Sequence, residues 1–143
     1  AEIAEYASGL TTMEQVEYLQ RHGKPVVEQN CESETEAWNQ ILMHINVGPD
    51  GYETAAVLTM TEAEAKATYK YLKQQRKDVS YIDRDSCAFK KGITVTTYYL
   101  AKGLEFDQVF ILGGDKKNAF FSQYRYISAT RALHELYVYD IES

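Results

Sequence analysis

The sequence predicts an α/β protein: a mainly parallel β-sheet in three layers, with helices on both of its faces. Three observations lead there. Short apolar runs alternate with segments whose apolar residues recur at helical spacing, and such alternation needs crossover connections between strands that point the same way. One run, Ala55-Ala56-Val57-Leu58-Thr59-Met60, has no strict polar alternation, as expected of a strand covered on both faces. Helix starts are marked by Thr/Ser-x-x-Gln/Glu spacing, in which the two side chains satisfy amides that a helix start leaves free.

Taken in order, Ala1 to Leu10 lack a period and are expected to continue a longer parent chain. Thr12-Met13-Glu14-Gln15 opens a short helix to about Arg21, which His22-Gly23-Lys24-Pro25 stops. Residues 1–22 are therefore read as an extension and residues 23–143 as the domain. Val26 to Asn30 is a strand. Ser33-Glu34-Thr35-Glu36 then starts a helix presenting Ala37, Ile41, Leu42 and Ile45 on one face, and Val47 to Gly51 is a turn. After the strand at 55–60, Thr61-Glu62-Ala63-Glu64 starts a helix to about Arg76, with Ala65, Tyr69 and Leu72 inward. Val79 to Ile82 is a short strand and Asp83 to Lys91 a polar loop. Ile93 to Thr97 and Gln108 to Leu112 are strands, Phe120 to Ala132 a helix, and Glu135 to Tyr139 the last strand.

The chain has 143 residues, 45% apolar and 25% charged, enough for one globular, soluble domain with a sizeable core. No apolar stretch approaches the roughly 18 residues of a membrane span. The start also lacks the charged-then-apolar pattern of a secretion signal, so a cytoplasmic location is expected. Cys31 and Cys87 form no C-x-x-C pair and have no histidine at metal-ligand spacing, which points to reduced thiols and no metal site. The net charge of −6 argues against strong sequence-independent nucleic-acid binding by this chain alone. The charge is uneven, with −8 in residues 1–72 and +2 in residues 73–143, so the second half is the half suited to phosphates.

That half carries two motifs. Thr97-Tyr98-Tyr99-Leu100-Ala101-Lys102-Gly103-Leu104-Glu105-Phe106 lies between two strands, and Tyr126-Ile127-Ser128-Ala129-Thr130-Arg131-Ala132 precedes the last strand. Together, in this order and spacing, they resemble motifs V and VI of UvrD/Rep-like superfamily 1 helicases, whose patterns are T-x-H-x-A-K-G-L-E-F and Y-V-A-x-T-R-A. The family histidine falls on Tyr99, and that form is more similar to the helicase IV-like branch, which includes ATPases that bind RNA polymerase. The resemblance implies the second RecA-like domain, of P-loop NTPase-like fold, of an ATP-dependent DNA helicase. It implies ATP with Mg2+ as cofactor and three kinds of partner: the first RecA-like domain of the parent chain, single-stranded or duplex DNA, and in one branch RNA polymerase.

By the same resemblance, Arg131 is the catalytic arginine finger, a permanently charged fork for phosphate oxygens. The residue alone would equally suit a helix end, where its charge favours the dipole. Glu105 is expected near the nucleotide ribose. Gly103 supplies either a special backbone conformation or a close approach, and Lys102 either meets phosphate or is solvated. Thr97 and Tyr99 are the nucleic-acid side, Tyr99 with an aromatic face that any base can stack on. Phe120, Phe121 and Tyr124 are read as core or interface packing, and His22, His44 and His134 as ordinary surface or core histidines. Parallel strands would put Glu105 and Arg131 at the amino-terminal edge of the sheet and Thr97 and Tyr99 at the opposite edge. No G-x-x-x-x-G-K-[ST] loop is present, and Gly113-Gly114-Asp115-Lys116-Lys117 does not fit it. The chain is thus expected to hold one wall of an ATP site and to be inactive alone. A helicase-like remodeller of RNA polymerase and a stand-alone α/β binding module are the alternative readings.

Overall fold

A computed structural model describes residues 26–83 and 91–142. The helix expected at 12–21 and most of the polar loop expected at 83–91 lie outside the described residues. The strands are β1 (Val26–Cys31), β2 (Thr54–Thr59), β3 (Val79–Tyr81), β4 (Gly92–Thr97), β5 (Phe106–Leu112) and β6 (Ala132–Ile141). The helices are α1 (Glu34–His44), α2 (Glu62–Gln75) and α3 (Phe121–Ala129). One sheet runs β1-β6-β5-β2-β4-β3, and every neighbouring pair in it is parallel.

Every residue of β2 and β4 is buried, as their apolar and threonine sequences require of central strands. One face carries α1 and α2, which close Ala37, Ile41, Ala65 and Leu72 over Val57, Val95 and Phe110. The other carries α3 and the segment between β4 and β5, closing Tyr124, Ala129 and Ala101 over Leu58, Val109 and Val138. Helices on both faces are what a fully parallel sheet needs, since each crossover must return over one face.

The helix starts form as their spacing implies, with one variation. Thr61 Oγ1 accepts from Glu64 N at 3.3 Å and Glu64 Oε1 accepts from Thr61 N at 3.1 Å, a reciprocal box. At α1, Ser33 Oγ accepts from Glu36 N, but Glu36 reaches one residue further back and accepts from Glu32 N at 2.8 Å. The inward face of α2 is Ala65, Thr68 and Leu72, with Tyr69 only half-buried. Thr68 is tolerated there because its hydroxyl accepts from Trp38 Nε1 at 2.9 Å.

The last helix is shorter than its periodicity suggests. It ends at Ala129, and Ala132 already belongs to β6, opposite Phe106. The reason is local: Thr130 Oγ1 donates back to Ile127 O at 2.7 Å and Arg131 N donates to Ser128 O at 3.1 Å, tightening the final turn until it closes. Phe106, expected in the loop, is therefore drawn into β5.

Candidate functional site

Strand direction gives the sheet two chemically distinct edges. At the edge where strands begin, Glu105 immediately precedes β5 and Arg131 immediately precedes β6. Phe106 N donates to Arg131 O at 2.9 Å, so the two motifs are stitched together by their backbones. At the opposite edge Thr97 ends β4, and Tyr98 N donates to Thr59 O at 2.9 Å beside the end of β2. β4 and β5 both pair in parallel with β2, which lies between them, so the connection from 98 to 105 spans the sheet from one edge to the other. It does so as successive tight turns, with Ala101 N bonded to Thr97 O and Leu104 N to Ala101 O, and with Ala101 fully buried against the α3 face. Gly103 has φ +82° and nothing within 4 Å of where a Cβ would stand. Of the two roles open to it, conformation is the one the geometry uses.

Arg131 is half-buried in the turn after α3. Its Nε and Nη2 donate to Thr130 Oγ1 at 3.2 and 3.0 Å, which orients the guanidinium. Among the described residues no carboxylate pairs with it. Its charge is felt at Tyr126, whose phenol is pushed up by burial and pulled back by Arg131. Glu105 is exposed and, among the described residues, makes no ion pair or side-chain hydrogen bond.

The remaining expected residues are divided between edge and crossover. Lys102 is exposed, and its Nζ lies 4.9 Å from the centre of the Tyr99 ring, so the partner it has is the aromatic of the opposite edge. Tyr99 is 64% exposed. Thr97 is buried, and its Oγ1 accepts from Leu100 N at 3.4 Å, bracing the turn that presents Tyr99. Met60, Glu62 and residues 97–100 line a crevice of about 510 Å³ at this place.

A polar network that the sequence reading did not single out holds the first edge in register. Asp107 accepts from Glu53 N, Thr54 N and the Thr54 hydroxyl at 3.1 to 3.2 Å, and lies 3.5 Å from His134 Nε2. Gln108 is fully buried: its amide donates to His44 O and Glu135 Oε1, and its carbonyl accepts from Asn46 N. Burial pushes the Glu135 carboxyl up, but donors on Gln108, Tyr52 and Tyr137 more than offset this and hold it below the usual range. The legible signal was the polar pair Asp107-Gln108 inside an otherwise apolar strand. His44 stacks on Tyr137 and His134 on Tyr52.

At the far edge, Arg125 is 2% exposed; it donates to Gly113 O and to Asp140 at 2.7 Å. Tyr124 is buried as expected and its hydroxyl bonds the carbonyls of Leu58 and Leu112. Phe120, read as core or interface packing, is 59% exposed and so is not part of the core. Asn118 Oδ1 accepts from Phe120 N at 2.8 Å in an Asx turn at the head of α3.

The donor set suits one wall of a nucleotide site. An oriented guanidinium without a carboxylate partner and an exposed carboxylate fit phosphate and sugar hydroxyls respectively. Among the described residues no three His, Cys, Asp or Glu side chains gather to hold a metal ion. No described helix is long and apolar enough to cross a membrane.

Residues 92–139 match the family described as the UvrD-like helicase C-terminal domain. No curated protein sequence matches the chain. Among solved structures, 43 chains match. The C-terminal domain of a possible DNA helicase from Lactobacillus plantarum WCFS1 is 24% identical with a TM-score of 0.67, over 87% of this chain and 79% of that one. The C-terminal domain of the DEAD-box protein Dbp5 is 14% identical with a TM-score of 0.60, over 84% and 78%. The arterivirus nonstructural protein 10 helicase, in a complex with DNA, is 17% identical with a TM-score of 0.52, over 82% of this chain and 28% of that one. The fold is the RecA-like α/β fold of helicase C-terminal domains.

Proposed function

From a RecA-like sheet whose residues 92–139 carry the UvrD-like helicase C-terminal pattern, we propose that this chain is the second motor domain of an ATP-dependent DNA helicase. The observation that carries the reading is that the bond from Phe106 N to Arg131 O brings the residue after Glu105 against Arg131 at one sheet edge, with no carboxylate partner for the guanidinium among the described residues. In this reading Arg131 reaches across a cleft to ATP held with Mg2+ on the first RecA-like domain of the parent. Its charge then acts on charge developing during phosphoryl transfer. Glu105 accepts from ribose hydroxyls, and Gly103 sets the turn that delivers it. Bound ATP supplies the phosphoanhydride whose cleavage opens and closes the cleft. At the other edge, Tyr99 meets DNA, Thr97 braces it from within, and Lys102 serves that edge rather than the nucleotide.

The test has two parts. The chain alone, freed of host ATPases, releases no phosphate from ATP and Mg2+; turnover that co-purifies with it and vanishes in Arg131→Ala would sink the reading. In the parent protein, Arg131→Ala lowers single-turnover hydrolysis by ~10³ or more while ATP affinity stays within a few-fold. Arg131→Lys rescues little, because an ammonium cannot reproduce the planar fork. Near-normal hydrolysis by the alanine variant would reduce Arg131 to a turn residue.

A further inference from the structure

Between β5 and β6 the pairing slips by one residue, next to the point where the two motifs meet. Phe106 stands opposite Ala132 and Gln108 opposite Glu135, so two residues of β6, Leu133 and His134, lie across from the single residue Asp107. An insertion of this kind is rare between parallel strands, and it shifts everything upstream by one position. Had pairing continued regularly from Gln108 and Glu135, Ala132 would lie across from Glu105, and Arg131 across from Leu104. With the insertion, Phe106 N reaches Arg131 O at 2.9 Å and Glu105 comes level with Arg131. The bulge sets the alignment of the two motif residues.

Such a bulge has to be held, because the ladder is disrupted where it sits. Asp107 is placed to hold it, since β5 lies between β2 and β6 and the two carboxylate oxygens face one neighbour each. Oδ2 accepts from Glu53 N, Thr54 N and the Thr54 hydroxyl at 3.1, 3.1 and 3.2 Å, and Asp107 N donates back to Thr54 Oγ1 at 3.0 Å. That ties the bulge to the start of β2. Oδ1 faces β6, 3.5 Å from His134 Nε2. The imidazole is held in turn by Tyr52, whose ring stacks on it at 5.5 Å between centres and whose hydroxyl donates to Glu135 at 2.7 Å.

We propose that Asp107 and His134 are positioning residues for the nucleotide edge: they pin the bulge that sets Arg131 level with Glu105, so that guanidinium and carboxylate are presented to one nucleotide together. The inference rests on the reading of Arg131 and Glu105 as nucleotide contacts. It adds the device that fixes their relative height, and neither positioning residue touches the nucleotide itself.

Two measurements test it, one of the pin and one of its consequence. In the chain alone, Asp107→Ala and His134→Ala should speed amide exchange of Phe106, read by NMR, at least ~10-fold against the amides from Val109 to Leu112. The His134 side chain is more than half exposed, so its variant carries the test should Asp107→Ala fail to fold. In the parent protein each variant should lower single-turnover hydrolysis ~10- to 100-fold, the scale of a misplaced reacting group, while ATP affinity stays within a few-fold. Added to Arg131→Ala, neither should lower hydrolysis further, because no guanidinium is left to place. Unchanged Phe106 exchange overturns the pin whatever hydrolysis does. Faster exchange with normal hydrolysis, or an undiminished loss on top of Arg131→Ala, overturns the positioning role. Normal hydrolysis in Arg131→Ala itself sinks the arginine-finger reading and the positioning role with it, whereas Phe106 exchange decides the pin independently.

Discussion

Gly103 and Gly114 both hold a positive φ, yet they require glycine for different reasons. At Gly103 the space is open, so Gly103→Ala pays only for the left-handed backbone, about 1–2 kcal/mol. At Gly114, φ is +104° and a Cβ would stand 2.8 Å from the Tyr124 ring, which is fully buried and tethered through its hydroxyl. Gly114→Ala should cost about 2–5 kcal/mol, backbone and overpacking together. Urea unfolding of the two variants checks the order, and equal losses would show that the Tyr124 ring gives way. At this scale the sequence was partly legible. The motifs led to Arg131, Glu105, Tyr99 and Gly103, but a lysine's direction and a phenylalanine's exposure depend on turns that spacing does not encode. Lys102, left open between phosphate and solvent, lies over the Tyr99 ring, and Phe120, read as core or interface packing, lies outside the core. Asp107 and Gln108 were passed over because their meaning lies in partners more than 50 positions away, Thr54 and Asn46.

The seam between β5 and β6 is the element on which the first edge depends. Its register runs from Phe106 opposite Ala132 to Leu112 opposite Tyr139, with an irregularity between Phe106 and Gln108. Glu135 and Gln108 face each other just past that irregularity, where the Gln108 amide donates to the carboxylate at 2.9 Å. Because the folded Glu135 carboxyl lies below its ordinary value, its stabilisation is present above about pH 4.3 and is lost as pH falls through the folded value. Wild-type stability minus that of Glu135→Gln should therefore shrink as pH is lowered through that window. Urea midpoints taken at steps from neutral pH downward measure it, and a pH-independent difference would refute the assignment. Element boundaries were legible where a capping residue sits, as at Ser33 and Thr61. They were misread at Ala129, where a hydroxyl ends a helix whose apolar period continues into the next strand.

Across the whole molecule, β2 is flanked by β4 and β5 and covered on both sides, while β1 and β3 close the sheet at its margins. Amide exchange should be slowest in β2 and β5 and faster by orders of magnitude in β3, because local opening of a three-residue marginal strand exposes little apolar surface. Exchange by mass spectrometry checks this, and equal protection of β3 and β2 would mean that the sheet opens as one unit. The architecture was the most legible level, since alternating periods and short crossovers leave few topologies open. Strand direction then fixed which motif ends meet.

Helix α3 starts beside Phe120 at one edge and ends beside Thr130 and Arg131 at the other, a rod of roughly 14 Å at 1.5 Å per residue. Tyr124 and Arg125 bolt it to the ends of β2, β5 and β6. Such a rod has no hinge of its own. A tug on one end arrives at the other as displacement rather than bending, so in the proposed motor Arg131 would advance toward the first domain or withdraw from it only when the entire sheet travels with it. On that proposal the stroke would be sized by the gap between two bodies, and a glycine inserted into α3 would make the two edges slip out of step.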